Sequence, residues 1–338
     1  MGQTERITLG AAEDLLGRAF SANGVPEAVA RSVAAALVAA EAEGQAGHGF
    51  SRVEDYVAQV RAGKIHAGAD VTCTRVSDTG LVIDAGFGFA YPALDRAIAE
   101  GAPLACARGS ATMAITRSHH CGALSLQVER LAREGLVALM FANAPAAIAP
   151  WGGATPVFGT NPIAFAAPRA AGDPLVIDLS LSRVARGKVM HAKKSGTTIP
   201  EGWALDRDGH PTNDPDAALE GSMIPIGGAK GTALALMVEI FAAVMTGSTL
   251  SAEASSFFNA GGPPPGVGQF LVALAPPDPV AFGARLETLV SIILSVEGAR
   301  LPGARRAAAR RRAESEGIEV PRHYLDAARA LAAGASGQ

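Results

Sequence analysis

The stretch Arg117-Ser118-His119-His120-Cys121-Gly122-Ala123-Leu124 joins a predicted β-strand, Thr112–Ile115, to a predicted helix over residues 123–134. It places His120 beside small residues, which leave room for a ligand to approach the ring. A second run of this kind is Gly47-His48-Gly49-Phe50-Ser51-Arg52. Histidine can donate or accept a proton near neutral pH. A single histidine more often satisfies a buried hydrogen bond, but two in such runs favour a site for proton transfer.

The composition predicts a folded protein that binds neither nucleic acid nor a membrane. Of its 338 residues 49% are hydrophobic and 18% are charged, which is enough for two or three layered units with a core. The net charge of −3 gives no sign of a nucleic-acid partner. The most apolar stretch, residues 231–247, is interrupted by Glu239 and predicts a buried helix rather than a membrane span.

The cysteines and the N-terminus predict a cytoplasmic location. Cys73, Cys106 and Cys121 lack the spacing of a metal site, and their odd number argues against a disulfide framework. No apolar signal segment follows Met1. We also expect no metal site, because no set of His, Cys, Asp and Glu residues has ligand spacing.

Predicted strands cluster between residues 71 and 275, and predicted helices occupy both ends of the chain. This order predicts a mixed α/β body clasped by N- and C-terminal helical segments. Within it we expect a helix from Phe50 to Ala62 and another from Tyr91 to Gly101, each ended by a glycine signal. Leu104–Arg108 is predicted as a strand, and residues 193–217 as a long polar loop.

The glycine fingerprint of a dinucleotide-binding Rossmann fold is missing. Gly86-Phe87-Gly88-Phe89-Ala90-Tyr91 has two of the three glycines, but the bulky Tyr91 occupies the third position. No acidic residue in a strand follows about twenty residues later, as contact with the ribose requires. Residues 227–232 likewise lack the spacing of a phosphate loop.

Segments spread over nearly the whole chain, in order, resemble the type-2 malate/L-lactate dehydrogenase-like NAD(P)H oxidoreductases. The matching segments are residues 47–52 with Tyr56, then 120–123, 149–153, 159–168, 178–180, 185–189, 202–206, 211–215, 228–231 and 300–303. The resemblance implies a non-Rossmann cofactor domain with a mostly antiparallel sheet, and a homodimer. It also implies two parts: residues 1–110 with 276–338 for substrate binding and dimerisation, and residues 111–275 for the cofactor.

The resemblance implies a set of cofactor-binding residues. They are His120, Cys121, Gly122, Ala123, Leu124, Thr160, Asp178, Leu179, Ser180, Arg186, Gly187, Lys230, Arg305 and Arg306. Because arginines between residues 300 and 312 suit a 2′-phosphate, we expect NADPH, with NADH as the alternative.

Two branches of the family compete for the substrate. The stretch from Ser255 to Gln269 most resembles the cyclic-imine reductases. Those reductases usually place a Ser before the motif His and an Asp after Ala-Arg-Gly, where this chain has Gly47 and Lys188. Lys188 resembles the 2-oxo-acid dehydrogenase branch instead.

We predict reduction of Δ1-pyrroline-2-carboxylate or Δ1-piperideine-2-carboxylate to L-proline or L-pipecolate. Hydride addition to C=N requires a protonated nitrogen, and His48 would supply the proton, with His120 and Lys188 as further catalytic candidates. Arg52, expected one helical turn from His48, would clamp the substrate carboxylate, and Tyr56 and Gly47 would line the pocket. Arg52 could instead pair with Asp55.

Two alternatives stay open. The first is a 2-hydroxy acid dehydrogenase of the malate, lactate or ureidoglycolate type, with His48 or His120 as the base. The second is a non-catalytic protein that binds a small acid or a nucleotide.

Overall fold

The computed structural model describes residues 3–334, so the outermost residues of both predicted end segments, 1–2 and 335–338, lie outside the described residues. The α-helices are α1 (Leu9–Ser21), α2 (Glu27–Ala42), α3 (Val53–Arg61), α4 (Ala90–Arg108), α5 (Leu124–Arg133), α6 (Arg186–Lys194), α7 (Pro215–Glu220), α8 (Ala229–Glu239), α9 (Pro279–Leu294), α10 (Ala304–Glu316) and α11 (Arg322–Ala332). The strands are β1 (Thr4–Ile7), β2 (Thr72–Arg75), β3 (Gly80–Asp84), β4 (Ser110–Ser118), β5 (Val137–Ala142), β6 (Ile163–Ala167), β7 (Leu175–Leu179), β8 (Ala204–Leu205), β9 (Pro211–Thr212), β10 (Ser222–Met223), β11 (Val267–Leu274) and β12 (Ile318–Pro321).

A seven-stranded sheet in the order β2-β3-β4-β11-β5-β6-β7 forms the centre of the molecule. The sheet is mixed, because β3 and β4 run parallel whereas the other neighbouring strands run antiparallel. Alternating side chains point to opposite faces. Met113 and Leu271 therefore pack with α4 and α5 on one face, and Phe141 and Phe270 pack with α8 on the other. The predicted mixed α/β fold is confirmed.

The helices at the two ends of the chain share a second core. Phe20, Leu37 and Tyr56 are buried there together with Leu325 from α11. β1 pairs antiparallel with β12, which ties the start of the described chain to its end. This core positions α3 so that Tyr56 reaches His120, just after the end of β4.

The predicted strand Leu104–Arg108 is wrong, because α4 continues through it. Gly101 and Pro103 indicate a helix end in the sequence, yet both lie inside α4. A Cβ at Gly101 would collide with Met113 Sδ of β4, so the glycine permits close packing of helix on sheet. Tertiary packing thus overrides two local breaking signals.

Two further predictions differ from the structure. The predicted polar loop over residues 193–217 contains β8 and β9, and α7 begins within it with its N-terminus capped by Asp214. The predicted helix from Phe50 begins as a 3₁₀ turn, Phe50–Arg52, before α3 starts. Among the described residues no helix has both the length and the apolar character needed to cross a membrane.

Candidate active site

Two turns bring the imidazoles of His48 and His120 together at one cavity. His48 ends a 3₁₀ turn, Ala46–His48, after α2, and His120 follows β4. The rings stack with centroids 5.3 Å apart and planes 12° apart. They line a cavity of about 320 Å³. The predicted site residues on its wall are Gly47, His48, Arg52, His120, Cys121, Gly122, Ala123, Leu124, Thr160, Asp178, Leu179, Ser180, Arg186 and Gly187.

His120 is oriented by two buried phenols. Its Nδ1 lies 2.6 Å from the hydroxyl of Tyr56, which in turn lies 3.0 Å from the hydroxyl of Tyr91. Burial raises the pKa of Tyr56 and lowers the pKa of His120 well below its usual value. The phenol and the imidazole are therefore both neutral at pH 7. Gly122 has φ +68°, and a Cβ there would lie 2.8 Å from the Tyr91 hydroxyl oxygen, so this turn requires glycine.

His48 has no comparable support. Its Nδ1 is buried without a hydrogen-bond partner in the part of the chain that the structure describes. Burial, with a smaller contribution from the charge of Arg52, lowers the pKa of His48 to about 4. The ring is thus a neutral imidazole at pH 7 that can accept a proton. A Cβ added at Gly47 would meet nothing within 4 Å, so the space beside His48 is open.

Arg52 reaches the same cavity, although not from the predicted continuous helix. The two 3₁₀ turns that carry His48 and Arg52 are separated by Gly49, whose φ of −106° and ψ of −131° are not helical. Arg52 Nε donates to Gly47 O at 2.7 Å, and its guanidinium lies 4.7 Å from the centre of the Phe258 ring. Asp55 Oδ2 lies 3.9 Å from Arg52 Nη1, so this carboxylate neutralises the charge of the guanidinium only weakly.

A second guanidinium, that of Arg186, also belongs to the cavity lining. It donates to Ala146 O at 3.0 Å and to Leu219 O at 3.3 Å. Within residues 3–334 no carboxylate contributes to the shift of the Arg186 pKa, which burial lowers. A partly buried cation with only carbonyl partners is suited to an anionic ligand.

Asp178 and Cys121 also contribute to the polar lining. Asp178 Oδ2 accepts from Ser125 N at 2.8 Å at the start of α5, and burial raises the pKa of this carboxyl. Burial also raises the pKa of the Cys121 thiol to about 12, so that side chain stays protonated.

The structure does not bring every predicted site residue to the cavity. Tyr56 lies behind His120, and Lys188 is exposed with its Nζ 5.9 Å from the centre of the Trp203 ring. Lys230 and Arg305 are exposed outside the lining. Arg306 donates to Val176 O at 3.3 Å, also outside it. The roles assigned to these residues stay predictions.

Phe257 and Phe258 were missed as site residues. Both line the cavity, and the Phe257 ring lies 5.3 Å from that of His120. Their only sequence signal is the resemblance of the stretch that begins at Ser255. A separate group, Asp206, Asp208 and His210, has potential metal-ligand atoms within 4.8 Å of one another. This group lies in a turn and does not line the cavity.

Curated relatives cover nearly the whole chain. It is 52% identical to the (2R)-3-sulfolactate dehydrogenase (NADP(+)) of Chromohalobacter salexigens over 96% of this chain and 98% of that protein. It is 39% identical to the Δ1-pyrroline-2-carboxylate/Δ1-piperideine-2-carboxylate reductase of Pseudomonas putida over 96% of both.

Solved structures show the same architecture. The Δ1-piperideine-2-carboxylate reductase of Pseudomonas syringae matches with a TM-score of 0.92 and 38% identity over 97% of this chain and 100% of that one. The sulfolactate dehydrogenase of Methanocaldococcus jannaschii matches with a TM-score of 0.88 and 26% identity over 97% and 96%. The family model for malate/L-lactate dehydrogenase matches residues 7–328. The chain therefore belongs to the malate/L-lactate dehydrogenase family and is an NAD(P)H-dependent oxidoreductase.

Proposed function

We propose that this enzyme is an NADP-dependent dehydrogenase of a 2-hydroxy acid that carries a second acid group, as (2R)-3-sulfolactate does. The observation that carries the proposal is the 52% identity to a sulfolactate dehydrogenase, against 39% for the cyclic-imine reductases. This difference in identity supports the dehydrogenase alternative over imine reduction. Lys188, which resembles the 2-oxo-acid branch, agrees with it.

The charges around the cavity support an acidic substrate. Arg52 and Arg186 line it, whereas Asp178 is the one carboxylate among the described lining residues. Asp178 already accepts the backbone N–H of Ser125. Asp55 Oδ2 lies 3.9 Å from Arg52 Nη1, so the guanidinium keeps hydrogens to offer to the substrate. A guanidinium binds a carboxylate through two parallel hydrogen bonds.

We assign different roles in the reaction to the two histidines of the cavity. Bound NADP supplies the hydride chemistry. Oxidation of the C2 alcohol also releases the hydroxyl proton, and the neutral His48 is suited to accept it. If Tyr91 donates to Tyr56 and Tyr56 donates to His120 Nδ1, the second ring nitrogen of His120 carries a hydrogen. His120 then donates a hydrogen bond to the substrate oxygen while His48 acts as the base.

The cavity lining offers contacts for part of a dinucleotide that do not depend on a glycine fingerprint. Small residues in the turn His120–Leu124 leave its backbone open, and Arg186 lacks a carboxylate partner among the described residues. We propose that this turn, Thr160, Asp178–Ser180 and residues 186–187 hold NADPH. The central sheet would thus belong to a non-Rossmann cofactor part, and the end helices to the substrate part.

The homodimer is also a proposal. Apolar side chains lie exposed along α8 and the π-helical turn that follows it. They are Leu234, Leu236, Ile240, Val244 and Met245. A second copy that covers this face would remove apolar surface from water.

A substrate panel tests the proposed function. The purified enzyme is assayed with NADP⁺ or NAD⁺ on (2R)-3-sulfolactate, malate and lactate, and with NADPH on Δ1-pyrroline-2-carboxylate. We expect the highest kcat/KM for sulfolactate with NADP⁺. A higher value for the cyclic imine would favour the reductase candidate, and no turnover of any substrate would favour a non-catalytic binder.

A further inference from the structure

A buried ammonium holds one wall of the active-site cavity. Lys64 follows α3 and is only 1% exposed. Its Nζ donates to Ser256 O at 2.7 Å, Gly261 O at 2.8 Å and Asn259 O at 3.1 Å, with Asn259 Oδ1 at 3.3 Å. All of these acceptors belong to one irregular segment, residues 256–261, which we name the aromatic segment.

The charge of Lys64 is met by dipoles alone. Among residues 3–334 no carboxylate contributes to the shift of the Lys64 pKa, which burial lowers. A buried ammonium is unfavourable unless each of its hydrogens is bonded. Because the acceptors are mostly backbone carbonyls, the ammonium fixes the path of the segment rather than one side chain.

The aromatic segment carries two residues of the cavity wall. The Phe257 ring lies 5.3 Å from the rings of both His119 and His120. The Phe258 ring lies under the guanidinium of Arg52, at 4.7 Å. Gln59, buried on α3, adds a second tie by donating from Nε2 to Phe257 O at 2.8 Å.

We propose that Lys64 is a positioning residue for the substrate. Lys64 is not among the described residues that line the cavity. It fixes the aromatic segment so that Phe258 supports Arg52 in the orientation that binds the substrate acid group. The expected effect of Lys64 on substrate affinity rests on the proposed function. The hydrogen bonds that tie the aromatic segment to Lys64 do not depend on that function.

The test compares Lys64→Met, which keeps the length of the side chain and removes the ammonium, with Lys193→Met as a control. Lys193 is exposed and pairs with Asp216, away from the cavity lining. We expect Lys64→Met to raise the substrate KM by about tenfold. The reason is that a misoriented Arg52 loses one or two of its hydrogen bonds to the charged acid group of the substrate. The dissociation constant of NADPH, measured by fluorescence, should stay unchanged. Amide hydrogen exchange over residues 254–262 should become faster without ligand.

A double-mutant cycle separates positioning from general stability. In the Phe258→Ala background, Lys64→Met should raise KM little further, because the residue through which it acts is gone. An equal rise in both backgrounds, or a lower Tm with unchanged KM, overturns the proposal. If Lys64→Met does not fold, Gln59→Leu serves instead and should shift KM in the same direction by a smaller factor.

The hydrogen-exchange experiment needs no substrate. It therefore tests whether Lys64 fixes the aromatic segment, whatever substrate the enzyme proves to use. If the enzyme reduces cyclic imines instead, the same KM comparison is made with the imine. Faster exchange with an unchanged KM would overturn the positioning role and leave the proposed function standing.

Discussion

The two turns that supply the imidazoles differ in what holds them. The turn at His120 is backed by Tyr56 and Tyr91 through hydrogen bonds of 2.6 and 3.0 Å. The turn at His48 leaves Nδ1 without a partner among the described residues and has open space at Gly47. The ring of His120 is therefore oriented by a side-chain hydrogen bond, whereas among the described residues the ring of His48 stacks on His120 and has no hydrogen bond at Nδ1. We infer that His120 orients the substrate and His48 moves the proton.

The largest effect should come from His48→Ala. Loss of a general base lowers turnover by about 10²–10⁴-fold. We expect this loss in kcat for 2-hydroxy acid oxidation, with unchanged NADPH affinity. His66→Ala, at an exposed ring that contacts Gly86 O, is the matched control and should leave kcat as it is. Equal losses in kcat and cofactor affinity would assign His48 to cofactor binding and would end the contrast between the two turns.

The pH profile of the unaltered enzyme checks the same assignment. Because burial lowers the pKa of His48 from 6.5 to about 4, its neutral form persists below pH 6.5. For oxidation, kcat/KM should therefore stay level as pH falls through 6.5 and should drop only toward pH 4. An acid limb centred near 6.5 would place the base outside the buried pair.

The sequence predicts which side chains belong to the site better than it predicts the contacts that hold them in place. His48, Arg52 and His120 are predicted from glycine-flanked runs, and Asp178 and Arg186 from the family resemblance. All five line one cavity. The support from Tyr91 and Phe257 was not predictable, because it depends on packing between segments far apart in the chain.

The fold shows the same limit. Amphipathic helices such as α1 and α11 follow from their periodicity, which is local. The continuation of α4 through Pro103 depends on its packing against β4, which no local pattern reveals. Lys64 likewise carries no sequence signal for its carbonyl partners, since they lie almost two hundred residues away along the chain, at separations of 192 to 197.

A smaller effect should follow from Arg52→Lys. The ammonium loses the paired hydrogen bonds of the guanidinium and its stacking on Phe258. We expect the substrate KM to rise by about tenfold to a hundredfold, since hydrogen bonds to a charged group are replaced by one point contact. The control is Arg96→Lys, at an exposed arginine that pairs with Glu100. An unchanged KM would remove Arg52 from the acid-binding site.

The smallest effect should come from Tyr56→Phe, which gives His120 the unsupported state that His48 already has. One hydrogen bond between neutral groups contributes about 0.5–1.5 kcal/mol, so kcat should fall about threefold to tenfold. Substrate KM should change little, because Arg52 is untouched. Tyr324→Phe controls for removal of a phenol elsewhere, since Tyr324 does not line the cavity.

Tyr91→Phe tests whether the hydroxyls of Tyr91 and Tyr56 orient His120 together. If Tyr91 orients the Tyr56 hydroxyl toward His120, its removal should reproduce part of the loss, and the double variant should lose less than the product of the two single effects. Independent, multiplying losses would mean that His120 is held by Tyr56 alone. No loss in Tyr56→Phe would show that stacking suffices for both imidazoles, and the difference between the two turns would then have no catalytic consequence.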